Sequence, residues 1–473
     1  MVFTSVSFLI FFLPCVLAAY FLVPKRHRDA RNCVLLGFSL LFYACGGVRY
    51  LGLILLSIAV NFACGLLAEG GSRRRRRAAL AGAVVFGAAL LGWFKYAGFF
   101  ARTVNGLGLP VPVPEVALPV GISFFTFQGL SYVIDVYRGS VRAQRNPLYV
   151  GLYIALFPQL VAGPIVRYGT IEREIVCRDE SLAEFSEGLT RFLFGLGKKL
   201  LLANAIGQVS DRIFAIPAGR LSTATAWIGA AAYTFQIYFD FSSYSDMAIG
   251  LGRMFGFRFL ENFNYPYIAQ SVTDFWRRWH ISLTTWFKDY LYIPLGGSRC
   301  ARWKHIRNLA AVWLLTGLWH GASWNFVLWG VWFLALLIGE KFLWGKVLER
   351  APKILRHVYT MLLVIVSWVL FRAPTLGGAA AFLGAMFGQA QGGLVYPDAV
   401  YYLKQYGGEF LLCLVGIFPV KNVLQAWLRK REDNPAWALV LAAGPKLIAL
   451  ALLALSFCKL VAGGFQPFIY FQF

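Results

Sequence analysis

From Asn308 to Gly339 the chain runs for 32 residues without Asp, Glu, Lys or Arg. The one side chain there that titrates near neutrality is His320. An ionisable group is costly to place in a membrane-length apolar segment, so its presence argues for function. Gly321, Ala322 and Ser323 follow it and leave room beside the ring. The plainer alternative is a buried histidine that only holds helices together, but no carboxylate lies nearby in sequence to fix it. Arg299, Arg302, Lys304 and Arg307 precede the run; Lys341, Lys346, Arg350, Lys353 and Arg356 follow it. Short loops rich in Lys and Arg stay cytoplasmic, so both flanks belong on one side and the segment goes in and returns. His-Gly-Ala-Ser is the natural bend. About twelve residues, roughly 18 Å of helix, separate Asn308 from His320. That puts His320 near or just past the middle of an apolar slab about 30 Å thick.

Of the 473 residues, 59% are hydrophobic and 14% charged, against about 25% charged in soluble domains. The chain is therefore read as an all-α polytopic membrane protein. Its net charge of +23 would suggest nucleic acid in a soluble protein. Here the basic residues sit between apolar spans, as in 25–31, 73–77 and 429–431, so topology and anionic lipid head groups explain them. No nucleic-acid partner is expected. The eight cysteines are scattered, with no CxxC pair and no Cys/His cluster of zinc spacing, so neither a disulfide framework nor a metal is expected.

Residues 3–24 carry no charge, and basic residues follow them, the reverse of a signal peptide. This predicts a retained first helix with its N-terminus outside. Spans at 32–48, 51–68, 78–100 and 117–136 then alternate direction, with 73–77 and 138–145 marking the inside and the loop 101–116, with its Pro-Val-Pro-Val-Pro stretch, outside. Residues 147–166 are broken by Pro158 and Gly163-Pro164. Residues 184–202 are amphipathic, with Lys198 and Lys199 beside an apolar stripe. Residues 221–239 are apolar and then meet Asp240, Ser242, Ser243, Ser245 and Asp246. Further spans lie near 358–372, 410–424 and 436–462. The sum is about eleven transmembrane helices plus re-entrant or interfacial pieces, in one domain over 1–473. Such broken pieces are tolerated where they line a protein cavity. No internal repeat is visible, which disfavours an inverted-repeat transporter.

A second polar cluster lies in 271–298, where Trp276, Trp279 and Trp286 alternate with Arg277, Arg278 and Lys288 around His280. Aromatic and basic residues together are ordinary at a membrane interface. They would also suit a basic, aromatic-lined mouth, with guanidiniums on phosphates and rings stacked on a base. A CoA thioester has those features, but this stretch does not single it out. There is no Gly-rich phosphate loop, GxSxG elbow or HExxH motif.

Seven stretches carry a resemblance that covers essentially the whole chain. They are MVFTSVSFLIFFLP at the start, PVGISFFTFQGLSYVIDVYRG at 119–139, FPQLVAGPIVRY at 157–168 and YFDFSSYSDMAIGLGRMFGFRFLENFNYPY at 238–267. FWRRWHISLTTWFKDYLYIPLGGS, LTGLWHGASWNFVLWG and QPFIYFQF complete the set. In these the chain resembles the membrane-bound O-acyltransferases (MBOAT) of the alginate O-acetyltransferase type. The resemblance implies an MBOAT-like fold around a central tunnel, in the inner membrane. It implies transfer of an acyl group, above all acetyl, from a cytoplasmic thioester such as acetyl-CoA to a hydroxyl at the outer face. No bound cofactor is implied. The family's catalytic histidine falls on His320, and its second polar position falls on His280.

On this reading a neutral His320 would act as general base on the acceptor hydroxyl. His280 would orient the donor or hydrogen-bond the developing oxyanion. Trp276, Arg277, Arg278, Trp279, Asp240, Asp246 and Asn325 are candidate substrate contacts. The expected partners are membrane lipid and a polysaccharide, or an extracytoplasmic acyl-accepting protein of the SGNH esterase type. The alternatives are D-alanyl transfer to teichoic acids from a carrier-protein thioester, and a transporter or flippase without chemistry.

Overall fold

The computed structural model describes residues 1–463 and 466–469, and among these every regular element is helical. Residues 470–473 of the C-terminal motif lie outside the described residues. Among the described residues five helices are long and apolar enough to cross a membrane: Val48–Glu69, Arg73–Gly106, Trp324–Phe342, Lys353–Arg372 and Pro435–Val461. A sixth is added if Pro397–Gly416 and Val420–Arg429, bent by 61°, form one span. The expectation of about eleven crossings exceeds this count.

The chain divides into two compact units, one of Met1–Phe192 with Ser245–Leu260, the other of Leu193–Tyr244 with Glu261–Phe473. In the first unit, helices start and stop where the local chemistry requires. Ser72 caps the Arg73–Leu91 helix by accepting from the Arg75 N–H, and Asn146 caps Pro147–Ala155 by accepting from the Leu148 N–H. The expected break near Pro158 is present: the helix ends at Ala155, and the Phe157 N–H is satisfied by Ser39 Oγ at 3.1 Å. Val48–Glu69 and Ile122–Arg138 pack closely because a Cβ on Gly65 would meet the Tyr132 ring, and one on Gly129 would meet Asn61. Between helices of this unit, Glu180 pairs with Arg28 and Arg31, accepts from the Tyr20 hydroxyl and lies 3.3 Å from Arg178.

In the second unit, the uncharged run forms the hairpin that its flanking charges predict. Arg302–His320 is one arm and Trp324–Phe342 the other, with Gly321 extended between them. The arms touch backbone to backbone. A Cβ on Gly317 would lie 2.4 Å from the Phe326 carbonyl oxygen, and one on Gly330 2.4 Å from that of Trp313. At the open end the Arg302 guanidinium sits 4.9 Å over the Phe342 ring, so both basic flanks gather at one end. Lys353–Arg372 runs alongside, and the Trp332 indole donates to its Leu363 carbonyl at 3.3 Å.

Candidate active site

His320 is the last residue of the first arm, at the closed end of the hairpin. Its ring is buried, 5% exposed, and meets Trp329 at 4.9 Å, Trp319 at 5.1 Å and Phe371 at 5.3 Å, each edge to face. Gly321 is required beside it because a Cβ there would strike the Phe326 ring. Asn325 donates from Nδ2 to the Ala373 carbonyl at 2.7 Å. It therefore fastens the second arm to the end of the Lys353–Arg372 helix, next to Phe371.

His280 is fully buried and takes φ +45°, left-handed backbone that is uncommon outside glycine. It occupies the corner between Val272–Arg278 and Ile281–Phe287. Asn262, 18 positions earlier, holds that corner. Its backbone oxygen accepts from the Ile281 N–H at 2.9 Å. Its Oδ1 accepts from the Ser282 N–H at 3.1 Å and the Ser282 hydroxyl at 2.9 Å. The Ser282 backbone can only donate, so the Asn262 atom facing it is oxygen. That same oxygen lies 3.3 Å from His280 Nδ1, so Nδ1 carries the proton and Nε2 the lone pair. Burial pushes the imidazole down to about 3, so it stays neutral at physiological pH. Trp319 joins the two histidines: its ring lies 5.8 Å from His280 and 5.1 Å from His320.

The remaining candidates are distributed differently. Trp276 and Trp279, expected at an open mouth, are buried, 5% and 2% exposed. Trp276 packs on Trp313 at 4.7 Å and Phe333 at 4.9 Å, and Trp279 on Trp368 at 4.9 Å and Phe263 at 5.1 Å. Their faces are taken up by other rings. Arg277 is exposed. Arg278 donates to Asp274 at 2.9 Å. Asp240 pairs with buried Lys199 and accepts from the Ile469 N–H at 2.8 Å, which ties down the C-terminal segment. Asp246 belongs to the first unit and pairs with Arg191 at 2.8 Å. Among the described residues no three His, Cys, Asp or Glu side chains converge as a metal site would require. Asn262 and Lys199 had no local signal as site residues; each acts through a partner distant in sequence.

Replacing His280 tests its role. In His280→Asn, the side-chain amide can take the place of Nδ1 on Asn262. This variant should keep more acyl transfer than His280→Ala, which should lose about 10²-fold through misplacement of the site. Total loss in both, at normal protein levels, would make His280 itself the base.

A helical membrane chain whose buried imidazoles gather on one indole has the makings of an enzyme working inside the bilayer. Comparison with known proteins gives the family. Residues 140–378 match the model of the MBOAT, membrane-bound O-acyltransferase family. The chain is 40% identical to a probable alginate O-acetylase AlgI of Azotobacter vinelandii, over all of both chains. It is 44% identical to that of Pseudomonas aeruginosa over 82% of this chain and 75% of the relative. It is 32% identical to a peptidoglycan O-acetyltransferase of Helicobacter pylori over 100% of this chain and 98% of the relative. The chain belongs to the membrane-bound O-acyltransferase family: it is a multi-pass membrane protein and an O-acyltransferase.

Proposed function

We propose that this protein acetylates hydroxyl groups of a cell-envelope polysaccharide, taking the acetyl group from acetyl-CoA on the cytoplasmic side of the inner membrane. The observation that carries this reading is His320 at the closed end of a hairpin whose two basic flanks meet at the open end. With the flanks inside, the base faces a hydroxyl arriving from the other side. His320 takes the hydroxyl proton as the oxygen attacks the thioester carbonyl. The C–S bond breaks, and the imidazolium returns the proton to the leaving thiolate. His280, neutral with its lone pair on Nε2, orients the donor side by accepting a hydrogen bond. Residues 1–473 serve a single acyltransferase activity, with the N-terminus outside. Asn325 serves by fixing the helix end beside His320. The immediate acceptor hydroxyl belongs either to the polysaccharide itself or to a secreted SGNH-type protein that passes the acetyl group on to it.

The relatives matched end to end are named for O-acetylation, which favours acetyl over D-alanyl. The test is the ester chemistry of a strain lacking this chain. Loss of O-acetyl from envelope polysaccharide is expected, with D-alanyl ester unchanged; the opposite pattern would replace the acetyl reading with the carrier-protein one. Orientation is checked separately with single cysteines at Arg302 and Lys346 in a background without native cysteines. Both should resist an impermeant maleimide in intact cells; labelling of just one would show that the segment crosses once, and labelling of both would invert the topology.

A further inference from the structure

Glu340 stands in the last turn of the hairpin's second arm, Trp324–Phe342. Two costs oppose a carboxylate there. The C-terminal end of a helix carries partial negative charge and favours cations. The residue is also buried, and among the described residues no side-chain cation pairs with it. What compensates it comes from another helix. Its Oε1 accepts from the Val272 N–H at 2.6 Å, and its Oε2 from the Thr273 N–H at 2.9 Å and the Thr273 hydroxyl at 2.7 Å. Val272 and Thr273 open the helix Val272–Arg278. The carboxylate therefore meets N–H donors that this helix cannot satisfy itself, at the end where its partial charge is positive. A residue that its own helix disfavours and a second helix requires is a clamp between the two.

The clamped helix leads to His280. It has seven residues, about 10 Å of length. Its far end is held as well: the Asn264 N–H donates to the Arg278 carbonyl at 2.9 Å, and Asn262 fixes the corner beyond. Between the ends, Trp276 lies 5.7 Å from Trp329, whose ring meets His320 at 4.9 Å. The helix is thus attached to the hairpin at two levels, by Glu340 towards the open end and by Trp276 one indole from the base. Apolar packing has little direction, so rings can slide or tilt on one another. Three hydrogen bonds to one carboxylate are charge-assisted and directional, and they fix the register. Glu340 therefore sets the level at which the His280 corner stands against the arm that ends in His320.

We infer that Glu340 is a positioning residue for acyl transfer, holding the His280 corner in register with His320 through the Val272–Arg278 helix. The inference rests on the role proposed above for His280. Inverted membrane vesicles holding the full-length protein and its native acceptors are given saturating acetyl-CoA labelled in the acetyl group. The initial rate at which label enters polysaccharide is read per amount of protein. Glu340→Gln keeps the side chain's shape but turns an NH2 group on the helix donors. It should lower the rate about tenfold, short of the 10²-fold that an ångström of misplacement costs. Thr273→Val removes the hydroxyl and keeps the shape, whereas Thr273→Ser keeps the hydroxyl and loses a methyl. Valine should lower the rate more than serine, an order that a packing role would reverse. In a His280→Ala background, Glu340→Gln should lower the rate no further, because the group it positions is gone. A further tenfold loss in that background, or a wild-type rate in Glu340→Gln alone, would overturn the inference. Amide hydrogen exchange reads the corner without turnover. Glu340→Gln should speed exchange both at 272–274 and across the corner at 279–283, and an effect confined to 272–274 would also overturn it. A wild-type rate in His280→Ala, or no label transferred by the wild type, would sink the reading beneath the inference. The exchange result would then decide by itself whether Glu340 sets the corner.

Discussion

Replacing His320 with alanine is expected to lower acyl transfer by about 10²–10⁴-fold, the usual contribution of a positioned general base, while the protein still inserts and folds. His320 is the one group titrating near neutrality within 32 uncharged residues, and its ring is enclosed by Trp319, Trp329 and Phe371. Alanine leaves a hole in that enclosure, and truncating a large buried side chain costs several kcal/mol. His320→Gln, closer in size, therefore accompanies it as the control for packing. Both variants should lose transfer at protein levels near the wild type. Wild-type O-acetyl content in a well-expressed His320→Ala strain would remove His320 from the chemistry.

The largest stability effect is expected at Glu180. This carboxylate compensates Arg28, Arg31 and Arg178, of which Arg31 and Arg178 are 3% and 0% exposed at the side chain. Glu180→Ala strands those guanidiniums, and breaking a buried pair by removing one partner costs about 3–5 kcal/mol. Burial alone would raise the carboxyl, but hydrogen bonds from Tyr20 and Arg28 outweigh it and hold it below the ordinary carboxylate range. The folded state therefore gains stability above the ordinary carboxylate pKa and loses it as pH falls through the lowered value. In detergent, the variant should unfold at clearly lower temperature than the wild type at pH 7, and the gap should close in acid. Equal unfolding temperatures at pH 7 would show that the network contributes nothing net.

Most element positions could be read from sequence because they depend on local properties. Predominantly apolar runs mark the spans at 51–68, 358–372 and 436–462, close to the observed Leu51–Glu69, Lys353–Arg372 and Pro435–Val461. The number of crossings was less legible. Segments such as Pro147–Ala155 and Phe157–Leu160 are too short to span, and apolarity alone does not separate a crossing from a buried piece.

By itself the sequence determined that the chain enters a membrane, that 308–339 folds back on itself, and that His320 stands alone at the turn. Each follows from the cost of placing charge in an apolar slab, which is additive along the chain. Only the tertiary structure decided which side chains meet. It buried Trp276 and Trp279 among other rings, set Asn262 on His280, and tied Asp240 to Lys199 and the C-terminal segment. These pairings join residues from 18 to 229 positions apart. Their energies come from contact and direction between groups that no local pattern connects, so they arise only when the helices pack.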